Sequence, residues 1–415
     1  MSYRLKKVGD VIEEIAMGPF GSNIKIDCFV PKGVPVLNGS NLTGFTLSED
    51  SFNYVTYEKA VSLKKAVASR GDIVITHRGT LGQIVYIPAN SKYDRYVISQ
   101  SQFRVRCKKN EMLPEFMVYF FHSREGQHKL LSNSSQVGVP ALARPSSTFQ
   151  ELEIPAPSLE EQQTIAETLI ALDDKIANNT KINHHLEQIA QAIFKSWFVD
   201  FEPFADGEFV FNESNSFPKG WTLQPLYDFA DYINGAAFKK EEYAPTGTPI
   251  VKIAELKNGI TNSTQYCGIK KAEKYYIDNK ELLFSWSGNP ETSIDTFIWH
   301  NGFAILNQHT FKVEPRAASF SFVYCLLRYL KPEFTKIASN KQTTGLGHVT
   351  VADLKRLLFP YKTEVIVEFC KILDPIIDSI YVNLLDNRSL AILRDTLLPR
   401  LMSGELSIAD IGDAK

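Results

Sequence analysis

The chain has 415 residues, enough for roughly two to four domains, with 44% hydrophobic residues and a formal net charge of −2. This composition is that of an ordinary globular protein and excludes a fibrous or disordered chain. Apolar runs such as Phe116–Phe121 are far too short for a membrane span, and the near-neutral charge argues modestly against a strongly basic nucleic-acid binder.

The start, Met1-Ser2-Tyr3-Arg4, shows no apolar signal-peptide stretch. Residues 1–157 mix short strands with a few helices. Strands are predicted at Val34–Leu37, Asp72–Thr76, Gln83–Ile87 and Gln102–Arg106, where β-branched residues run or alternate. A proline-initiated helix is predicted over Pro114–Leu131, and a Ser/Asn/Gly-rich loop over Ser132–Pro140. From Leu159 the period changes to about 3.5. Ile165, Leu169, Leu172, Ile176, Asn179, Asn183, Leu186, Ala190, Ile193 and Trp197 alternate steps of four and three, which is a coiled-coil seam. Ser158-Leu159-Glu160-Glu161 is a capping box at its start. Leu159–Phe198 as one helix would span roughly 60 Å at about 1.5 Å per residue. The helical segment 158–200 is followed by a linker, 201–219, a second mixed domain, 220–361, a second helical segment, 362–404, and a tail, 405–415. The second domain is predicted to hold a helix at Phe320–Tyr329 and a loop at Ser339–His348. Pro375 and Pro399 are expected to kink or shorten the second long helix.

The two halves repeat. Asp174, Ile176, Asn179, Asn183, Leu186 and Phe194 are answered by Asp378, Ile380, Asn383, Asn387, Leu390 and Leu398, each pair 204 residues apart (378 − 174 and 398 − 194 both give 204). Upstream, Asp72–Gly79 aligns with Glu281–Gly288, Ile98–Val105 with Leu306–Val313, and Gly33–Val36 with Gly247–Ile250. This spacing is far longer than a solenoid unit of about 20–50 residues; it is a duplicated domain plus a duplicated helix. Strand residues agree between copies while loop residues differ, as expected of one scaffold with two surface specificities. A buried Asn costs stability but fixes register and partner. Asn179, Asn183, Asn383 and Asn387 are therefore expected to set the register of the two helices paired antiparallel.

Catalytic signatures are sparse. No phosphate-binding GxxxxGK[ST] loop occurs, and Asn289-Pro290 lacks the second proline of an adenine methyltransferase string. Glu255 and Lys257, with Asp228 or Asp231 upstream, loosely suggest a nuclease set, but the matching first-copy segment is Asn41-Leu42-Thr43. His184-His185 lacks the spacing and partners of a metal site. Five dispersed cysteines, with no CxxC pair, read as reduced thiols of a cytoplasmic protein. A self-contained nuclease and a coiled-coil scaffold that binds no DNA stand as alternatives.

The order of domain, helix, domain, helix resembles the specificity subunit of Type I restriction–modification systems. The strings that carry the likeness are Pro155-Ala156-Pro157-Ser158-Leu159-Glu160-Glu161-Gln162, Ile189 through Phe201, and Leu397-Leu398-Pro399-Arg400-Leu401-Met402-Ser403-Gly404-Glu405-Leu406. Gly71-Asp72-Ile73-Val74 is similar to a family turn–strand segment, and Glu281-Leu282-Leu283-Phe284 is its weaker second version, with Lys280 in the Gly position. The resemblance implies an α+β chain in which a long antiparallel two-helix coiled coil separates two mixed α/β target recognition domains, related as a pseudo-two-fold internal repeat. It implies a non-catalytic reader of a bipartite double-stranded DNA site, with the helices setting the unread gap. It also implies two modification subunits docked on the helices and restriction subunits joined through them. S-adenosylmethionine, ATP and Mg²⁺ would belong to those partners, with no cofactor in this chain. Candidate DNA-contacting residues are Asn38, Ser40, Asn41, Arg78, Thr80 and Gln136 in the first domain. In the second they are Lys252, Lys257, Trp286, Ser287, Asn289, Lys341, Gln342, Thr344 and His348.

Overall fold

A computed structural model describes residues 3–19, 23–135, 138–211, 216–316, 320–342 and 346–407. The chain forms two compact units, Met1–Asp174 with Leu390–Lys415, and Lys175–Ser389. Each unit is therefore a mixed α/β domain together with portions of both long helices.

The first unit is built on a four-stranded sheet in the order Ile12–Met17, Gln102–Cys107, Ile73–Thr76, Ile84–Tyr86. Ile73–Thr76 is buried along its whole length, which explains why its sequence is a continuous apolar run rather than an alternation. The second unit repeats this sheet as Ala230–Asn234, Thr310–Pro315, Leu282–Ser285, Asp295–Ile298. Leu282–Ser285 is likewise buried throughout. Before the first of these strands Gly71 turns the chain at φ +85°; Lys280 holds the same left-handed turn at φ +67°. That costs a side-chain-bearing residue energy, and Lys280 ties its ammonium to Asp378 at 2.8 Å. Both domains are closed by a pairing of their sequence ends: Leu5–Lys7 with Glu153–Pro155, and Thr222–Pro225 with Leu358–Tyr361, both antiparallel.

The first long helix is Leu159–Phe198 and the second Thr363–Ser403. The capping box forms: Ser158 N–H donates to Glu161 Oε2 at 2.9 Å, and Glu161 N–H to Ser158 Oγ at 3.2 Å. Ile165, Leu169, Leu398 and Met402 are buried in the first unit's core. Their counterparts 204 positions away, Phe369, Leu373, Phe194 and Phe198, are buried in the second. The repeat thus reaches the packing, and each such side chain is worth about 1.5–3 kcal/mol of burial.

Four expectations are corrected. Pro375 and Pro399 do not interrupt the second helix. Both lie on its exposed side, where water can serve the carbonyl a proline leaves unpaired, while buried Leu373, Ile377 and Leu398 anchor the neighbouring turns. The predicted helix Pro114–Leu131 is two helices, Pro114–His122 and Arg124–Leu131. Ser123, extended at ψ 160°, caps the second by accepting from Gly126 N–H at 3.1 Å. Residues 201–219 contain an antiparallel strand pair, Phe209–Phe211 with Ser216–Pro218. A helix at Lys331–Asn340 follows Phe320–Tyr329.

Candidate nucleic-acid interface

The four seam asparagines all lie in the second unit, where the helices run antiparallel. Asn383 Nδ2 donates to Asn183 Oδ1 at 2.8 Å, and Asn183 Nδ2 donates to the Ile380 carbonyl at 3.1 Å. Asn179 Nδ2 donates to Asp386 at 2.8 Å, and Asn387 Nδ2 to Thr180 Oγ1 at 3.3 Å. Asn179 and Asn183 are buried. In the first unit the same pairing sense is carried by an ion pair, Arg394 with Asp173 at 2.6 Å, and Asp173 also accepts from Tyr119 Oη at 2.5 Å.

In each domain the structure brings two loop segments together. In the first unit the segment after Ile73–Thr76 meets the segment before helix Pro145–Glu151. Gly79 N–H donates to the Pro140 carbonyl, and Leu142 N–H to the His77 carbonyl, both at 2.9 Å. Arg78 bridges Ala141. In the second unit Ser287–Gly288 pairs with Gly347–His348, and Val349 N–H donates to the Trp286 carbonyl at 2.8 Å. Gly79 at φ +91° and Gly288 at φ +130° make these crossings possible. One loop pair on one scaffold thus occurs twice, with Arg78, Gly79 and Thr80 exposed in the first copy.

Several candidates are committed to the scaffold. Asn41 is only 1% exposed, and its Nδ2 donates to the carbonyls of Ser48 and Ser51 at 3.1 and 3.0 Å. It is a strut of the fold and cannot face a base edge. Asn38 caps the short turn Gly39–Asn41, its Oδ1 accepting from Ser40 N–H at 2.8 Å and from Ser40 Oγ at 2.6 Å. Glu255 does in the second unit what Asn41 does in the first: it is buried and accepts from Lys252 N–H at 3.0 Å, as Asn41 Oδ1 accepts from Asn38 N–H at 3.0 Å. Lys257 donates to the Thr292 carbonyl, and Asp228 and Asp231 both face Arg316. The carboxylate–lysine arrangement suggested for a nuclease is therefore not assembled.

Lys252 reaches Gln265 and lies over the Tyr243 ring at 5.3 Å. Trp286 stacks on Phe311 at 5.6 Å and donates Nε1–H to Asn234 at 3.0 Å. Asn289 caps a turn by accepting from Glu291 and Thr292 N–H groups. Lys341 is paired with Asp353, Gln342 is exposed, and Ser287 and His348 are half-buried. Gln136 and Thr344 lie outside the described residues.

Of the basic residues Arg104, Arg106, Lys108 and Lys109, the two lysines are exposed and the two arginines are held by carboxylates. Arg104 is buried between Glu14 at 2.8 Å and Asp72 at 3.5 Å, and Arg106 grips Asp72 twice, at 2.7 and 2.9 Å. The Arg104 hydrogen bond holds the Glu14 carboxyl below its usual range. Burial lowers the pKa of His77, whose Nε2 lies 3.1 Å from the Gln100 carbonyl.

A glycine pair escaped the sequence reading. Gly18 N–H donates to the Gln102 carbonyl at 2.8 Å and Gly235 N–H to that of Thr310 at 3.0 Å. A Cβ on Gly18 would lie 1.9 Å from the Ser99 oxygen, and one on Gly235 2.2 Å from that of Asn307. These glycines let the first strand of each sheet run against the matched turns at 99–102 and 307–310. The signal was present, since both glycines end the opening strand of their copy. Lys239 and Lys240, exposed just after Gly235, are surface cations.

Residues 5–188 and 218–380 each match the profile of the Type I restriction modification DNA specificity domain. The chain is 29% identical, over 98% of its length and 94% of the relative's, to the Type I restriction enzyme MjaIX specificity subunit of Methanocaldococcus jannaschii. It is 27% identical, over 83% of its length and 88% of the relative's, to the HindI specificity subunit of Haemophilus influenzae. In fold it is similar to the S subunit of a Type I restriction–modification system from M. genitalium, with a TM-score of 0.55 and 16% identity over 96% of each chain.

Proposed function

Because the chain belongs to the Type I restriction modification DNA specificity domain family, we propose that each mixed domain reads one half of a bipartite site in double-stranded DNA. The observation that carries this reading is the duplicated match itself: two specificity domains in one chain, each presenting the same crossed loop pair with different residues on it. The chain supplies recognition and performs no chemistry of its own.

Sequence is read at base edges, while phosphate contacts position the protein. In the first domain Arg78 and Thr80 are exposed on the crossed loops, with Ser40 exposed on the neighbouring turn. An arginine reads guanine through two parallel hydrogen bonds, and Arg78 makes no ion pair among the described residues. In the second domain Ser287, Gln342 and His348 take the reading role, with Lys239 and Lys240 on phosphates. Trp286, Asn38 and Asn289 act by shaping the loops that carry them. Gln136 and Thr344 remain candidates by their place in sequence.

The two long helices set the length of unread DNA between the half-sites and dock two modification subunits, through which restriction subunits join. Those partners bring adenine methylation with S-adenosylmethionine and cleavage with ATP and Mg²⁺. No helix among the described residues is long and apolar enough to cross a membrane; the assembly works in the cytoplasm, where its DNA is.

Footprinting of the assembled complex tests the reading. Two protected stretches with an open gap are expected. Protection without sequence preference would overturn it.

A further inference from the structure

The two units differ at one edge of their matched sheets. Ile73 pairs with Tyr86 and Val105, as Leu282 pairs with Ile298 and Val313, so Tyr86 and Ile298 are equivalent edge positions. In the first unit that edge is covered by the chain itself. Tyr86 N–H donates to the Phe45 carbonyl and Leu47 N–H donates to the Tyr86 carbonyl, both at 3.1 Å, and Thr46 runs parallel to Tyr86. The Phe45 ring fills the wedge between sheet and helices. It stacks on Tyr119 at 4.4 Å, contacts His122 at 4.3 Å, and has the Arg394 guanidinium over it at 5.1 Å.

In the second unit nothing among the described residues pairs with the outer side of Asp295–Ile298. The segment after Leu256, which answers Leu42, turns away: Ile260 packs into the cluster of Leu256, Leu283 and Trp299. A cavity of about 430 Å³ stands beside the open edge. Leu256, Phe297, Ile298, Tyr324, Ile380 and Leu384 form its apolar wall. Tyr324 answers Tyr119, and each donates its hydroxyl to a carboxylate of the first long helix, Glu187 at 2.9 Å and Asp173 at 2.5 Å.

We propose that this edge and cavity take up an extended segment of a partner polypeptide, which adds a strand parallel to Asp295–Ile298 and inserts one aromatic side chain into the wedge. The first unit shows the occupant the architecture fits, since its own Phe45-Thr46-Leu47 does both. Main-chain bonds to an open sheet edge supply affinity in this mode of recognition, and the pocketed side chain supplies specificity. The aromatic residue's carbonyl would accept from Ile298 N–H, and the N–H two residues on would donate to the Ile298 carbonyl. His300 Nδ1 already lies 3.1 Å from that oxygen, and a carbonyl has room for a second donor.

The test uses the full chain without DNA and a fluorescein-labelled peptide, Leu-Thr-Gly-Phe-Thr-Leu-Ser-Glu, copying residues 42–49. Anisotropy should show saturable binding, at least about tenfold weaker when the peptide carries Phe45→Ala. Deuterium uptake at the Ile298 amide should slow when peptide is bound. Leu384→Trp in the chain should fill the cavity and abolish binding with the unfolding midpoint held or raised; should that variant fail to fold, the peptide substitution and Ile298 protection decide the matter. Absent saturation, equal binding of the two peptides, unchanged exchange at Ile298, or full binding by a folded Leu384→Trp chain would each overturn the proposal.

Discussion

Asn383 hands an amide hydrogen to Asn183 across the two helices at 2.8 Å, and Asn183 hands its own to the Ile380 carbonyl at 3.1 Å. The two side chains belong to the two copies of the repeat and occupy the same register only when the helices run antiparallel. A one-turn slip would leave the buried Asn183 amide without these partners, at about 1–3 kcal/mol.

Asn183→Ala should therefore destabilise the second unit by about 1–3 kcal/mol, since it strands Asn383. Replacing both asparagines with leucine should recover that loss while relaxing the register. Urea unfolding measures the first effect. Loss of a single fixed gap in the methylated sites reports the second.

Asp72 is fully buried between Arg104 and Arg106. Removing one partner of a buried ion pair leaves a bare charge, so Asp72→Ala should cost about 3–5 kcal/mol. The loss should appear as early unfolding of the first unit. A variant as stable as the parent would show the triad to be dispensable.

His122 supports a pH prediction. Burial lowers its pKa below the ordinary 6.5, the ring sitting on Phe45 and 2.7 Å from the Ile84 carbonyl. Folding thus favours the neutral ring. The unfolded chain binds the proton more readily, so this contribution is complete above about pH 6.5 and is lost as pH falls towards the folded pKa. His77 and His300 are lowered in the same sense by burial. Unfolding midpoints should decline from pH 7.5 to 5.5, and His122→Gln should flatten part of that slope.

Gly18→Ala and Gly235→Ala place a methyl against a backbone oxygen. Each should cost roughly 1–3 kcal/mol and disturb only its own domain. Site maps should then lose one half of the target and keep the other.

Much of this was legible in the chain because local rules carried it. The 3.5 period gave the first helix end to end, and Ser158 with Glu161 gave its cap. Buried runs such as Ile73–Thr76 gave the sheet strands. What misled was mostly context. Proline at 375 breaks a helix in isolation, but anchored neighbours and an exposed carbonyl let it pass. The break at Ser123 depends on how closely Gly126 approaches the Phe120 oxygen. Among site residues, Arg78 and Thr80 were readable as exposed loop side chains. The commitment of Asn41 and Trp286 was not, because their partners at 48–51 and 234 are set by tertiary folding; that of Glu255 is a local contact three residues back.

The most direct measurement is of specificity. The chain, and its Arg78→Ala variant, would be co-expressed with the modification subunit, and methyladenine mapped across the genome by long-read sequencing. The parent should methylate one split motif with a fixed gap. Arg78→Ala should cost about 1–3 kcal/mol of discrimination at one base in one half only, with the gap and the other half unchanged. Methylation without a split motif, or a variant that altered both halves or neither, would contradict the account.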